Sequence, residues 1–255
     1  MKRSLSRPAA ALALAVLGAG LRYAPAADDS GPANTLTADE AKAGWKLLFD
    51  GHSLAGWHNF KREGVRAGWQ AKDGTLACVD PRNAGDIVTA DEFAWFELSI
   101  EYTISKGGNS GIMFHVTDAG RTAWATGPEV QLQDNADAHD PQLSGWLYQL
   151  YKSADDPKTG RPIDATRPAG EWNRVRVVIA PPPGRSSVTM NGVTYFEFVF
   201  GSAEFKDRIA RSKFRSMPDF AKSGRGHLAL QGDHGAVAFR NVKVRPIPAS
   251  AADGQ

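Results

Sequence analysis

The sequence has little cysteine, because Cys78 is the only one among its 255 residues. An intramolecular disulfide is therefore excluded, and the hydrophobic core must hold the fold together. No histidine lies near Cys78 in the sequence, so this residue is a poor candidate for a cysteine nucleophile. The Gly-x-Ser-x-Gly motif that positions the nucleophile of many serine hydrolases is also absent. Two common classes of hydrolase are thus unsupported.

Long hydrophobic runs are missing as well. The apolar stretch at residues 9–20 is well short of the roughly 20 residues that span a membrane. It follows a basic segment that begins Lys2-Arg3, and Ala24-Pro25-Ala26 supplies small residues at the two positions that a signal peptidase reads. We therefore predict a cleaved signal peptide at residues 1–26 and an exported protein, either periplasmic or secreted. An uncleaved anchor is the alternative.

Basic charge is not in excess. The formal net charge is +2, from 30 basic and 28 acidic residues, and four of the basic residues lie in the predicted signal peptide. Removing those four leaves 26 basic residues against 28 acidic ones, a net charge of about −2. No basic patch remains that would indicate a nucleic-acid partner.

The chain after the signal peptide is long enough for one domain with its own core. Residues 27–43 are polar and small and are predicted to form a tether that ends in a helical turn, where Thr37 and Glu40 resemble a capping box. The domain is predicted at residues 44–247. A disordered tail is predicted at residues 248–255.

Short strand-like runs bounded by Gly, Asp, Asn and Pro fill the domain and predict an all-β antiparallel sandwich or barrel. Asn191-Gly192 between two apolar runs predicts a tight hairpin. The charged residues 203–222 are predicted to form a short amphipathic helix and a loop before the last strands, with aromatic side chains that pack. The predicted strands are 69–71, 75–79, 87–89, 93–104, 111–116, 128–133, 173–180, 187–190, 193–198, 227–231 and 237–244.

The segment Glu129-Val130-Gln131-Leu132-Gln133 alternates polar and apolar residues. As a strand it places Glu129, Gln131 and Gln133 on one face and two apolar side chains on the core face. Three long hydrogen-bonding side chains on one face indicate a binding surface, and a solvated sheet face is the simpler alternative.

Other strands repeat this pattern. Glu101 lies on the polar face of one predicted strand, and Asn109 and His115 share a face of the next. Near the end of the chain, Gln231 is followed by a turn that contains Asp233 and His234. A carboxylate beside an imidazole is a workable acid–base pair, although the same residues also make an ordinary turn.

The metal and simple glycosidase interpretations are weaker. Asp134, Asn135 and His139 lie in an acidic stretch that could bind a divalent cation, but the stretch matches no defined loop, and flexible acidic loops are more common. No cofactor is predicted to be required. The strand Glu129-x-Gln131-x-Gln133 resembles the catalytic strand of laminarinase-type glucanases, but an amide replaces the expected acid. Ordinary glycoside hydrolysis needs two carboxyl groups, so it is disfavoured.

Seven motifs in order resemble the 3-keto-disaccharide hydrolase family and cover roughly residues 44–246. Gly232 departs from the family pattern, in which many members read Leu-Gln-Asp-His-Gly without the extra residue. The motifs are Gly44-Trp45…Leu48-Phe49-Asp50-Gly51…Gly56-Trp57, Phe96-x-Leu98-x-x-Glu101, Gly108-Asn109-Ser110-Gly111-Ile112, Glu129-Val130-Gln131-x-x-Asp134-Asn135, Gly170-Glu171-Trp172-Asn173, Asn191-Gly192, and Leu230-Gln231…Asp233-His234-Gly235…Phe239-Arg240-Asn241.

The resemblance implies a concanavalin-like jelly roll of two curved antiparallel sheets. It also implies hydrolysis of the glycosidic bond of sugars that a partner dehydrogenase has oxidised at C3. A C3 carbonyl acidifies the C2 proton, so a single base can start an elimination, after which the aglycone leaves and water adds. Stabilising the enolate requires electrophilic groups.

On this scheme either Glu129 or His234 is the base, and the other residue or Asp233 assists the leaving group. Arg240 is the candidate for binding the C3 oxygen. Side chains that suit sugar binding are Glu101, Asn109, His115, Gln131 and Gln231, with Trp146 or Tyr148 stacking on a sugar ring.

Two other functions fit a fold of this class, because fold alone does not decide function. A non-catalytic carbohydrate-binding domain, or lectin, is the main alternative. The third is a scaffold protein that binds a partner through residues 203–222.

Overall fold

The computed structural model describes residues 31–249. The predicted signal peptide and most of the predicted tail lie outside these residues. The strands are β1 (Lys46–Leu47), β2 (Trp57–Asn59), β3 (Trp69–Lys72), β4 (Thr75–Cys78), β5 (Ile87–Phe93), β6 (Phe96–Ile104), β7 (Asn109–Val116), β8 (Glu129–Gln133), β9 (Asn173–Ile179), β10 (Ser186–Met190), β11 (Val193–Phe198), β12 (Gly226–Leu230) and β13 (Val237–Pro246). The α-helices are α1 (Ala38–Lys42) and α2 (Ala203–Ala210).

The strands form two antiparallel sheets that pack face to face. The eight-stranded sheet has the order β11-β10-β9-β6-β13-β4-β3, with β1 paired to β13, and the five-stranded sheet has the order β2-β5-β12-β7-β8. This arrangement confirms the predicted all-β, concanavalin-like sandwich. The sequence pattern missed only the two shortest strands, β1 and β2, whose two and three residues are too few to show alternation.

Alternating side chains from both sheets fill the space between them. On β6, Leu98 and Ile100 point inward and are buried, and Ile112 and Phe114 of β7 meet them from the other sheet. Each such side chain contributes about 1.5–3 kcal/mol when it is removed from water. Because this core is continuous, the outward face of each sheet is free to carry polar groups.

Two local features set the strand geometry. Asn191 and Gly192 have φ values of 47° and 85°, as a type I′ hairpin turn requires, which confirms the predicted hairpin. His115 has a φ of 55°, and the pairing of β7 with β12 shifts at this point, where Val116 pairs with His227 and Met113 with Ala229. This β-bulge moves His115 off the face that alternation predicts.

The segment between β11 and β12 contains the predicted helix. Ser202 caps α2 by accepting a hydrogen bond from the backbone N–H of Phe205, and a 3-10 helix follows at Lys213–Ser216. Phe205, Phe214 and Phe220 are buried, and the rings of the last two stack 3.9 Å apart. The aromatic side chains pack, as the sequence predicts.

The end of the predicted tether is packed against the sandwich. Thr37 and Glu40 form the capping box of α1. Asn34 is buried, and it exchanges hydrogen bonds of 2.6 and 2.9 Å with Asn241 of β13. The folded unit therefore begins before Gly44. No helix within residues 31–249 is both long and apolar enough to cross a membrane.

Candidate active site

A cavity of about 260 Å³ lies on the outer face of the five-stranded sheet. Strands β7, β8 and the end of β12 form its floor, and four connections between strands form its walls. Its lining is polar except for two aromatic side chains. The lining residues are Asn109, Trp124, Glu129, Gln131, Asp140, Tyr148, Lys213, Gln231 and His234.

The floor follows from strand alternation and from one glycine. Glu129 and Gln131 of β8 face outward, and β7 places Met113 and Gly111 opposite them. The carboxylate of Glu129 leans over Gly111, where an added Cβ would lie 1.9 Å from Oε1. Gly111 is therefore needed for space inside a strand, where any side chain would displace the carboxylate.

Glu129 is the central ionisable group of the cavity. It is 8 % exposed, and no hydrogen bond reaches its carboxylate from the residues that the structure describes. Burial raises its pKa to about 8, and the negative charges of Asp86, Asp140 and Asp233 act in the same direction against the charge of Lys213. A carboxyl that is protonated and deprotonated near neutral pH suits acid–base catalysis.

Amide side chains surround this carboxyl. Gln131 donates a hydrogen bond of 3.4 Å to Gln133, which donates one of 3.1 Å to the backbone oxygen of Asp140. The Oε1 atom of Gln231 is buried and accepts no hydrogen bond from any described residue. Amides offer both donors and acceptors, and an unpartnered one facing a cavity suits a sugar hydroxyl.

The long connection between β8 and β9 forms one wall. Its residues 145–148 run beside β8, where Gln131 donates to the backbone oxygen of Trp146 at 2.9 Å and Tyr148 donates to that of Glu129 at 2.8 Å. This pairing brings Tyr148 to the cavity. Its hydroxyl donates a hydrogen bond of 2.7 Å to Asp140. The connection thus covers the edge of β8 and builds the site.

The turn after β12 forms the opposite rim. His234 is exposed there, with Nε2 3.5 Å from Oδ1 of Asp233. Its backbone oxygen accepts a hydrogen bond of 3.1 Å from Asn109, which ties the turn to β7. Gly232 lies so close to the backbone of Gly85 that a Cβ would meet its oxygen at 2.6 Å. The residue that departs from the family pattern thus allows this turn to pack closely.

Asp86 is a third carboxyl behind the rim. It immediately precedes β5 and receives a hydrogen bond from the backbone N–H of Gly232, while its Oδ1 is buried and has no partner among the described residues. Burial, assisted by the charge of Asp233, raises its pKa to about 7. Nothing in its local sequence distinguishes it from an ordinary Gly-Asp turn.

Comparison with known proteins agrees with this geometry. Residues 44–245 match the model of a family described as the 3-keto-alpha-glucoside-1,2-lyase-like domain. The chain belongs to this family. The match confirms the resemblance drawn from the motifs, and with it the expectation of a glycoside-cleaving enzyme.

Individual proteins that are similar to this chain support the same family assignment. The chain is 27 % identical over 233 residues to a 3-keto-disaccharide hydrolase of Bacteroides thetaiotaomicron, which covers 80 % of this chain and 79 % of that protein. A crystal structure from Parabacteroides distasonis, assigned provisionally to the glycosyl hydrolases, is 30 % identical, covers 85 % of this chain and all of its own, and has a TM-score of 0.75. A second structure from that organism is 26 % identical, covers 80 % of this chain and 99 % of its own, and has a TM-score of 0.57.

The structure brings together most of the residues that the sequence predicts for the site. Six of the eleven line the cavity, and Asp233 lies beside His234 at the rim. The six are Asn109, Glu129, Gln131, Tyr148, Gln231 and His234.

Glu101 and Arg240 lie elsewhere, and their predicted roles at the sugar are corrected. Both are on the outward face of the eight-stranded sheet, where β6 and β13 pair directly. Arg240 donates a hydrogen bond of 2.7 Å to Glu101, and its guanidinium stacks on Trp172 at 4.1 Å. Alternation gave the correct face of each strand but could not tell which sheet the strand would join.

His115 and Trp146 also lie outside the cavity lining. His115 is fully buried, and its Nε2 lies 2.6 Å from the backbone oxygen of Ala94. Burial lowers its pKa to about 4, so it is a neutral packing residue among aromatic rings. Trp146 packs against the core and donates a hydrogen bond of 3.2 Å to Ser153. The bulge at His115 and the outward position of Tyr148 decide these outcomes.

The residues considered for a cation make other contacts. Both carboxylate oxygens of Asp134 accept backbone hydrogen bonds, from Gly107 at 2.9 Å and from Ala136 at 3.2 Å. Asn135 donates to Asp164 at 2.9 Å, and His139 is exposed. In residues 31–249 no group of three or more His, Cys, Asp or Glu side chains is arranged to hold a metal ion.

Proposed function

We propose that this protein cleaves the glycosidic bond of 3-keto-disaccharides and related 3-keto-glycosides through loss of the C2 proton, departure of the aglycone and addition of water. The observation that carries the proposal is Glu129, a single buried carboxyl on a floor that otherwise consists of amides. Ordinary glycosidases need a second carboxyl at a fixed distance across the sugar. An elimination that starts from an acidified C–H bond needs one base.

Glu129 is the base in this proposal. Its carboxylate removes the C2 proton, and the electrons of the C–H bond form an enolate with the C3 carbonyl. The enolate then collapses to restore the carbonyl, a double bond forms between C1 and C2, and the C1–oxygen bond breaks. Water adds its oxygen to C1 and gives its proton to His234, which has by then protonated the departing oxygen, and the proton on Glu129 returns to C2, so the sum of the steps is hydrolysis.

His234 assists the leaving group. It stands at the exposed rim, where an aglycone would enter and leave, and its protonated imidazole donates a proton to the departing oxygen. Oδ1 of Asp233 lies 3.5 Å from its Nε2, within reach of the same ring. This assignment separates the roles by position, with the base on the floor and the acid at the rim.

The amides and Tyr148 hold the sugar ring. Asn109, Gln131 and Gln231 present donors and acceptors to its hydroxyls, and Tyr148 offers an aromatic surface beside them. The ketone must be introduced beforehand, so the proposal includes an oxidising enzyme, a sugar 3-dehydrogenase, that supplies the substrate. The proposal also puts the reaction outside the cytoplasm, an expectation that rests on the predicted signal peptide alone.

The test measures release of aglycone by the purified mature protein from a 3-keto-glucoside and from the same glucoside without the ketone. Release from the keto sugar alone is the expected result. Release from both at similar rates would contradict the elimination, because an unoxidised sugar has no acidified C2 proton. Binding of either sugar without release from either would replace the enzyme by a lectin.

The pH profile tests the role of Glu129. A base must lose its proton, so the limb of the kcat/KM profile that rises with pH is expected to have its midpoint near the pKa of about 8. A profile that falls through this region would make Glu129 the acid and would transfer the role of base to His234.

A further inference from the structure

Lys213 comes to the cavity from the segment between β11 and β12. It is the first residue of the 3-10 helix Lys213–Ser216, and its backbone N–H donates a hydrogen bond of 3.0 Å to Gln149. The next residue, Phe214, is buried and stacks on Phe220. These contacts fix the backbone that carries Lys213 against the loop that carries Tyr148.

The ammonium group of Lys213 lies among aromatic rings. It is 4.2 Å from the ring centre of Tyr148 and 5.5 Å from that of Trp124, and both rings line the cavity. Such rings attract a cation without neutralising it. Within the described part of the chain, no carboxylate lies within ion-pair distance of this ammonium. Its positive charge therefore remains available to a ligand.

Lys213 is also the only lysine or arginine among the residues that line the cavity. The charge of its ammonium acts on Glu129 across this space. Arg240, the arginine that the sequence predicts for the site, is bound to Glu101 on the opposite sheet. A negative charge that forms on a sugar in the cavity thus meets one lysine ammonium, in addition to the imidazole of His234 at the rim.

We propose that Lys213 binds the C3 oxygen of the keto sugar and stabilises the negative charge that develops there. This inference rests on the proposed function. When Glu129 takes the C2 proton, the electron pair moves toward the C3 oxygen, and a nearby ammonium lowers the energy of that enolate. The ketone oxygen of the bound substrate carries only a partial charge. The contact is therefore stronger in the transition state than in the ground state, and it acts mainly on kcat.

The same geometry suggests how the cation is made effective. Lys213 is exposed at the edge of the cavity, where water screens its charge. A sugar ring placed between Tyr148 and Glu129 would displace that water from the rim. The ammonium would then face the C3 oxygen in a drier environment, where each charge contact is worth more.

The experiment compares Lys213→Met with Lys206→Met, an exposed lysine on α2 in the same segment. Lys213→Met is expected to lower kcat for the keto sugar by about 10²-fold, at the lower end of the range for loss of one oxyanion donor, with KM changed less than about fivefold. Lys213→Arg is expected to recover part of the rate. Lys206→Met is expected to behave as the wild type. The thermal unfolding midpoint of each variant shows that the fold is kept.

A wild-type kcat in Lys213→Met would overturn the inference, and so would a rise in KM with kcat unchanged.

A second measurement does not depend on turnover. In the Glu129→Gln background, calorimetry compares binding of the 3-keto-glucoside with binding of the unoxidised glucoside. Lys213→Met is expected to reduce the preference for the ketone, and an unchanged preference would overturn the inference. Absence of cleavage by the wild type would instead reject the proposed function, and the binding comparison would still decide the contact.

Discussion

Glu101 and Glu129 lie at matching places on opposite sheets. Each is an outward-facing strand residue, and each is 8 % exposed. Burial alone would raise the pKa of both carboxyls. Hydrogen bonds from Arg174 and Arg240, together with their charges, outweigh burial at Glu101 and hold its pKa below the ordinary value. At Glu129 no such partner exists among the described residues, and the pKa rises to about 8.

The contrast extends to the two outer faces. On the eight-stranded sheet, Glu97 receives hydrogen bonds from Arg176 and Arg245, and Lys243 lies 2.9 Å from Glu40. Each of these carboxylates has a cation beside it. On the five-stranded sheet, carboxyls and amides gather around one cavity, with Lys213 as the only lysine or arginine of its lining. The carboxylates of the first face are paired within the protein, whereas the polar groups of the cavity on the second face are available to a ligand.

The same alternation of polar and apolar residues supports structure on one sheet and a candidate site on the other. Polar residues alternate with apolar ones on β6 and on β8, and both strands bury their apolar side in the same core. A buried charge with partners contributes to structure, and a buried ionisable group without them costs stability. The second arrangement persists where binding or catalysis needs it.

Replacing Glu129 is expected to give the largest effect on activity. Glu129→Gln keeps the shape of the side chain but cannot take a proton, so kcat for the keto sugar should fall by about 10²- to 10⁴-fold. The thermal unfolding midpoint at pH 7 should not fall, because the change removes an unpaired buried carboxyl. Steady-state assays and calorimetric unfolding measure the two quantities. Retained activity would remove Glu129 from the mechanism. Glu129 and Glu101 would then not differ in catalytic role.

The same change at Glu101 is the matched control and should give the opposite pattern. Glu101→Gln leaves Arg174 and Arg240 without their shared carboxylate, which should cost about 1–3 kcal/mol of unfolding free energy. The cost is reduced because both arginines are partly exposed. Denaturant unfolding measures it, and kcat should stay within about twofold of the wild type. A large loss of activity in a folded Glu101→Gln protein would show that the eight-stranded sheet takes part in catalysis.

The two variants should also differ in the pH dependence of stability. The pKa of Glu129 is raised in the folded state, so folding retains its proton and the wild type loses stability as pH rises from about 4.5 to about 8. The advantage of Glu129→Gln over the wild type should therefore grow across this range and then level off.

The pKa of Glu101 is lowered, so its contribution is present above its ordinary pKa and is lost as pH falls through the folded value. The deficit of Glu101→Gln should be constant from pH 6 to 8 and should shrink in acid. Unfolding midpoints from pH 3 to pH 9 test both expectations. Parallel curves for the two variants would refute the assigned difference in electrostatics.

Strand alternation predicted much of the floor of the site. Glu129 and Gln131 face outward because Val130 and Leu132 must face the core, and Asn109 follows the same logic on β7. Alternation is local, whereas sheet membership depends on contacts between distant strands. For that reason the sequence placed Glu101 and Arg240 with Glu129, although they belong to the other sheet.

Tyr148 and His234 apart, the walls of the site were beyond sequence patterns. Asp140 and Lys213 come from a loop and a 3-10 helix, where no periodicity marks the direction of a side chain. Trp124 belongs to a 3-10 helix that gave no sequence signal. Asp86 reads as a turn residue, and only the fold brings its carboxyl to Gly232. The one available signal is the run of aromatic and charged residues at 203–222, whose spacing predicts packing rather than a place in the site.

Removing the charge of Asp86 is expected to have the smallest effect on activity, and it tests what sets the pKa of Glu129. Among neighbouring charges, that of Asp86 contributes most to the raised pKa of Glu129. Asp86→Asn should therefore lower that pKa and shift the rising part of the kcat/KM profile to lower pH by roughly 0.5–1 unit. Asp91→Asn, an exposed change on β5, the strand that follows Asp86, should leave the profile in place.

The direction of this shift separates two roles for Asp86. If Asp86 acts through its charge, the plateau of kcat/KM stays near the wild-type level while its midpoint moves to lower pH. If Asp86 serves only to brace the turn at Gly232, the variant loses rate at every pH and the midpoint stays near 8. The first outcome would extend the contrast between the two sheets to a residue outside the cavity lining. The second would confine that contrast to Glu129 itself.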